Sequence, residues 1–184
     1  WSRGLGDVYK RQMPRSVATA HALLSGRRII LAHRWEVESV DFWTRGLGKD
    51  ARAVVACTGI DADQFLYPCD IANFPETYEF PVNYVPSRMN ALCDICDGLV
   101  GLPADSDIVV HCNQSVHRGP LGAVAIARRL EGASAEGFYW QLKAERDVVH
   151  HLPTQFDPHD KRDLKLWDTF SWVVLRLSYL LQDQ

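Results

Sequence analysis

Three short apolar runs constrain this chain more than any other feature: Arg28-Ile29-Ile30-Leu31-Ala32, Ala53-Val54-Val55-Ala56-Cys57 and Ile108-Val109-Val110. Each is rich in β-formers and apolar at consecutive positions, the pattern of a strand covered on both faces. Between the first two, Glu36 to Leu47 has helical spacing, with Val37, Val40 and Trp43 on one side. A loop rich in Asp, Pro and Asn is expected from Thr58 to Thr77, then a strand from Tyr78 to Val85 interrupted by Pro81. Asn90 to Leu99 reads as a helix ended by Gly101 and Pro103. Helical patterns resume at Leu121 to Leu130, Ala135 to Val149 and Leu164 to Leu181, with Gly132 and Pro153 as breaks. Strands separated by helices predict an α/β fold, a single domain whose central, mostly parallel sheet is flanked by helices.

The chain has 184 residues, 47% of them apolar and 10% aromatic, enough for one ordinary core. A net charge of −3, with the charges scattered, offers no field suited to nucleic acid or to an anionic membrane surface. The run from Leu164 to Leu181 carries Asp168 and Arg176 and is too short and polar to span a bilayer. Five cysteines (Cys57, Cys69, Cys93, Cys96 and Cys112) form an odd set without a framework. They read as reduced thiols, which points to a cytoplasmic or nuclear location. Residues 1–12, WSRGLGDVYKRQ, show neither apolar period nor capping logic and precede Met13. The expectation is a non-native leader or a disordered tail, followed by one domain over 13–184.

In parallel sheets ligands bind beyond the carboxyl ends of the strands, and residues 111 to 119 occupy that place. A loop from a strand end to a helix start points several backbone N–H groups into one concavity, and the helix adds its positive end. Such a phosphate-binding loop, between the central strand and a helix, would use Asn113, Gln114, Ser115, Val116, His117 and Arg118. Pro120 in the first turn costs that helix no hydrogen bond. The same positive field favours the thiolate of Cys112, and the thiolate is the nucleophile. Arg118, across the loop, can grip two oxygens of a tetrahedral oxyanion with its planar fork. Cys112 and Arg118 are therefore the candidate catalytic residues for phosphoryl transfer through a cysteinyl-phosphate.

His111-Cys112, five residues, then Arg118 resembles the signature loop of the protein tyrosine phosphatase superfamily, especially its small dual-specificity members. RIILAHR (28–34) resembles their opening strand, ARAVVACTG (51–59) their second, and AEGFYWQLKAERDVV (135–149) the helix after the catalytic one. The resemblance implies a phosphatase-like domain without cofactor or metal. It would hydrolyse phosphate monoesters, protein phosphotyrosine and also phosphoserine or phosphothreonine among them, on phosphorylated protein or other phosphomonoester partners.

Three positions depart from that family's pattern: Ser115 where Gly is usual, Gly119 where a Ser or Thr hydroxyl helps the thiolate leave, and Asn83 near the spacing of the general-acid Asp. Asp70 and Glu79 are off-register substitutes for the acid. These departures open a second reading, a pseudophosphatase that binds phosphorylated partners without turnover. A third is open too, since His-Cys-x-x-Ser-x-x-Arg-Gly-Pro also resembles the loop of the rhodanese-like cell-division-cycle phosphatases, although no Gly-His-Ile precedes it and no Leu-x-Gly-Gly follows.

The remaining candidates have plainer readings. Cys93-x-x-Cys96 lacks a second ligand pair at zinc spacing and sits in a helix-like run, where a free Cys is ordinarily core. His150, His151 and His159 read as surface or capping residues. Trp140, Trp167, Phe170 and Trp172 read as packing. His117 either meets a substrate oxygen or points away, and His111 is expected to order the loop by hydrogen bonding rather than carry a proton.

Overall fold

In the computed structural model, residues 18–58, 64–81, 89–115 and 118–145 are described. Among the described residues the strands are β1 (Thr19–Ala22), β2 (Arg28–His33), β3 (Ala51–Thr58), β4 (Glu76–Pro81) and β5 (Asp107–Cys112). They form one sheet in the order β1-β2-β5-β3-β4, with β1 antiparallel to β2 and every other pair parallel. The expected single-domain α/β architecture with a central, mostly parallel sheet is what the chain adopts. β5, the strand that leads into the candidate loop, is the middle one.

The side chains of β5 alternate between two cores. Ile108, Val110 and Cys112 join Ile29 and Leu31 of β2 and Val55 and Cys57 of β3 on one face. That face is covered by α3 (Met89–Val100), α4 (Arg118–Glu131) and α5 (Ala135–Glu145) through Leu99, Leu121, Val124, Ile126, Phe138 and Leu142. Val109 joins Ile30, Ala32 and Val54 on the other face, beneath Val37, Phe42 and Trp43, with Tyr67, Ile71 and Phe74 packed against them. We call these the helical face and the aromatic face.

Several elements differ from the sequence expectation. The helix expected over Glu36 to Leu47 is two short ones, α1 (Arg34–Val37) and α2 (Val40–Thr44), followed by a 3-10 turn at Leu47–Asp50. Ser39 takes an extended conformation between them, and Trp43 Nε1–H donates to the Val37 carbonyl at 2.6 Å, folding the second helix back on the first. β1 was not evident in the sequence, because four residues with a histidine among them carry no period; antiparallel pairing to β2 makes it a strand. β4 begins at Glu76, two residues before the expected Tyr78, and is described as far as Pro81. A proline is tolerated there because β4 is an edge strand. α3, β5 and α4 extend the expected runs by one to three residues at either end.

Cys96 is core, as expected, with no exposed surface; the side chain of Cys93 lies outside what is described. Trp140, expected as packing, is instead 42% exposed on α5, since the helix buries Phe138 and Leu142 on its inner side. Residues 1–12, 82–88 and 146–184 lie outside the described residues. With them go Asn83, the three C-terminal histidines, the aromatics Trp167, Phe170 and Trp172, and the helix expected over 164–181.

Candidate active site

β5 delivers two consecutive residues to opposite faces at the carboxyl edge of the sheet. Cys112, the last strand residue, turns toward the helical face and is 3% exposed. His111 turns toward the aromatic face and is completely buried. The chain then leaves the sheet through Asn113, half-buried, Gln114, exposed, and Ser115, buried. It re-enters regular structure at Arg118, the first residue of α4. Val116 and His117 lie outside the described residues.

Ser115 has a φ of 53°, in the left-handed region, which costs a non-glycine residue about 1–2 kcal/mol. That conformation aims the Ser115 N–H back across the loop, where it donates to Cys112 Sγ at 3.2 Å. The residue type at this position was noted in the sequence as a departure from the glycine usual in tyrosine phosphatases. The backbone here adopts a conformation that glycine would take at least cost, so serine occupies the position with strain.

Arg118 is half-buried, and its charge is felt on both faces. It works against the rise of the Cys57 thiol and helps to hold the His111 imidazole neutral. Burial first, and Arg118 second, push His111 from its ordinary 6.5 down to about 3. The Tyr67 hydroxyl pairs with His111 Nε2 at 2.5 Å. Burial raises the Tyr67 phenol above its ordinary range, with the Cys57, Cys69, Glu38 and Glu79 charges adding to it, so the phenol keeps its proton and donates, and Nε2 accepts. The ring of Phe65 meets His111 edge-on at 4.5 Å between centroids. His111 is thus a neutral side chain hydrogen-bonded to Tyr67, and that bond runs to the 64–74 segment rather than to the loop it was expected to order.

Gly119 follows Arg118 and is buried. A Cβ there would stand 3.6 Å from Cys112 Sγ, Cys112 N and Leu31 Cδ2, ordinary contact distances. A Cβ is therefore accommodated at this position.

Of the substitute acids, Glu79 lies between Tyr78 and Phe80, which pack on the helical face, so its side chain is on the face opposite Cys112. It accepts a hydrogen bond from Thr58 Oγ1 at 3.2 Å. Asp70 is exposed, in a turn of the segment that packs Tyr67, Ile71 and Phe74 on the aromatic face. Neither is brought to Cys112 by the described residues.

Sequence reading missed two residues of this neighbourhood. Tyr67 sits in a segment whose composition says only loop, and nothing in it points to His111. Cys57 had a signal: Val54-Val55-Ala56-Cys57 repeats the Val-Val-x-Cys of Val109-Val110-His111-Cys112.

No protein-family model matches the sequence, and no curated protein does either. The sheet order, with a loop between the central strand and a covering helix, is a fold shared with solved dual-specificity phosphatases. Human DUSP28 superposes with a TM-score of 0.59 at 15% identity, over 90% of this chain and 97% of that one. A mouse dual specificity phosphatase solved in complex with zinc tungstate gives 0.59 at 14%, over 92% and 93%. PTPMT1 gives 0.51 at 11%, over 90% and 100%.

Proposed function

We propose that the protein is a cysteine-dependent phosphatase for phosphate monoesters, protein phosphotyrosine foremost. The observation that carries the reading is the Ser115 N–H on Cys112 Sγ at 3.2 Å, in a loop closed by Arg118 at the start of a helix. In this reading the Cys112 thiolate attacks phosphorus. The loop amides of residues 113–118 and the Arg118 guanidinium stabilise the equatorial oxygens, and water then hydrolyses the cysteinyl-phosphate. Free thiols among the described cysteines suit a reducing compartment, the cytoplasm or nucleus.

Hydrolysis of p-nitrophenyl phosphate is the test. Cys112→Ser should abolish turnover, and Arg118→Ala should lower it by orders of magnitude; parent-like activity in either variant would refute the mechanism.

A second reading, a module that binds phosphorylated partners without turnover, is favoured by the position of Glu79 on the face opposite Cys112. Protonating the leaving oxygen typically contributes about 10²–10⁴-fold. With no acid supplied, turnover should be confined to activated aryl phosphates and fall steeply as the leaving oxygen becomes more basic. Calorimetric binding of a phosphopeptide, lost in Arg118→Ala, together with no hydrolysis of any aryl ester would establish the binding module instead.

A further inference from the structure

At the edge of the sheet opposite Cys112, a cavity of about 220 Å³ opens beside the start of β3. Two backbone irregularities bring polar residues to it. The first is a bulge in β3: Ala51 pairs with Asp107 and Ala53 with Ile108, so Arg52 has no counterpart on β5. Ala51 and Val54, three positions apart, both join the aromatic-face core, while Ala53 joins the other. A bulge of this kind re-aims the side chain of the extra residue, and Arg52 lines the cavity. The second is the turn before β4, closed by the Phe74 N–H on the Ile71 carbonyl at 3.2 Å. Asn73 sits in that turn at a φ of 60°, a left-handed conformation that asparagine adopts more readily than most residues, and lines the cavity as well.

The third wall is the 3-10 turn Leu47–Asp50. Gly48 lets it pack tightly on α2, since a Cβ there would stand 2.5 Å from Phe42 Cε1 and 2.9 Å from Trp43 Cε3. That close approach sets Lys49 at the rim. Lys49 and Asp50 form a loose surface pair at 3.9 Å, and the Asp50 charge also acts on Arg28. Arg52 is exposed and, among the described residues, has no carboxylate partner. The floor is apolar: the rings of Trp43 and Phe74 meet edge to face with centroids 4.9 Å apart. The Trp43 indole N–H is taken by the Val37 carbonyl, so the tryptophan offers the cavity ring surface alone.

We propose that this cavity is a binding site for a small organic anion, a carboxylate carried on a single flat ring, with the ring on the Trp43–Phe74 floor and the carboxylate on Arg52 and Lys49. The planar guanidinium can take both carboxylate oxygens. The Lys49 ammonium adds a second positive charge, and the Asn73 amide is a further donor. With Asp50 as the one acid among the lining residues, the rim is net positive. Size selects the ligand: sites for drug-sized molecules hold about 300–1,000 Å³, and this smaller cavity has room for one ring and its acid group. Along β3, at about 3.3 Å per residue, the cavity lies roughly 20 Å from the edge that carries the nucleophile. The site therefore stands apart from the proposed phosphatase chemistry and does not rest on it.

The full chain, isotope-labelled for NMR, is titrated with sodium benzoate at constant ionic strength and followed through its backbone amide signals. The expected result is saturable movement of the amides of residues 48–52 and 71–74, with millimolar affinity. Neutral benzamide, of the same shape, should leave those amides in place. Arg52→Ala, a change at an exposed bulge residue, should weaken benzoate binding there about tenfold or more. Arg118→Ala, which removes the anion grip at the other edge of the sheet, should not alter it. The inference is overturned if these amides do not respond, if benzamide moves them equally, if Arg52→Ala binds benzoate as the parent does, or if benzoate moves only residues 112–118. The contrast between benzoate and benzamide is read in the unaltered chain, so a misfolded variant does not decide it. Absence of hydrolytic activity would overturn the phosphatase reading and leave this result standing.

Discussion

The two faces of the sheet treat neighbouring residues of one strand in opposite ways. On the helical face Cys112 sits among small aliphatic side chains and a second thiol, beneath a helix that begins with Arg118. On the aromatic face His111 sits among Phe65 and Tyr67, hydrogen-bonded and neutral. The helical face supplies the Cys112 thiol and, at the start of its covering helix, the Arg118 guanidinium. The aromatic face supplies a fixed, uncharged anchor one residue before the loop. Alternation of side chains along a strand is what allows one dipeptide to do both.

That division can be broken first by pH. His111 accepts a proton at about pH 6.5 when unfolded but only near 3 when folded. The folded imidazole is the depressed one, so its contribution is fully present above the unfolded value and is lost as pH falls through the window between the two. The expected loss is about 1.4 kcal/mol per pH unit for the one extra proton bound by the unfolded chain. Urea unfolding of the parent and His111→Gln proteins, at about pH 7 and about pH 4.5, checks it. The gap between them should narrow or reverse toward acid. A gap constant across that range would mean His111 is not the neutral anchor described.

A smaller effect tests the packing under the other face. Gly122→Ala would put a Cβ 2.4 Å from Cys57 Sγ, 3.4 Å from Phe80 Cδ1 and 3.5 Å from Val110 Cγ1. Overpacking of this kind costs about 1–3 kcal/mol. Much of the cost should vanish when Cys57→Ala is added, because the two sites share one space; strictly additive losses would show that they do not.

The smallest effect sharpens the aromatic side. Tyr67→Phe removes the donor to His111 Nε2 and should lower stability by about 1 kcal/mol, as expected for one buried acceptor left unmet. The urea midpoint reads it. An unchanged midpoint would mean the phenol does not hold the imidazole in place.

How much of this was legible in the sequence depends on the range of each interaction. The strands Arg28 to Ala32, Ala53 to Cys57 and Ile108 to Val110, and the loop they point to, could be read because consecutive apolar residues and the strand-to-helix transition at Cys112 and Arg118 are local. The break at Ser39 was hidden, because Val37, Val40 and Trp43 keep a helical period across it while the Trp43 indole closes on the Val37 carbonyl. Tyr67 was also hidden. Its partner lies 44 residues away, and only the packing of its segment on the aromatic face brings the two together. The departures at Ser115 and Gly119 were visible as letters, but their meaning came from geometry. One residue carries a left-handed φ, and the other leaves room for a Cβ at ordinary contact distance from Cys112 Sγ.

The most direct test of the account is to trap the intermediate. The parent protein is mixed rapidly with p-nitrophenyl phosphate, quenched in acid within a turnover, and digested at low pH for mass spectrometry. The account predicts a phosphoryl group on the peptide carrying Cys112, bound to its sulfur, and none in Cys112→Ser. Hydrolysis that proceeds with Cys112 unmodified, or that survives in Cys112→Ser, would contradict it.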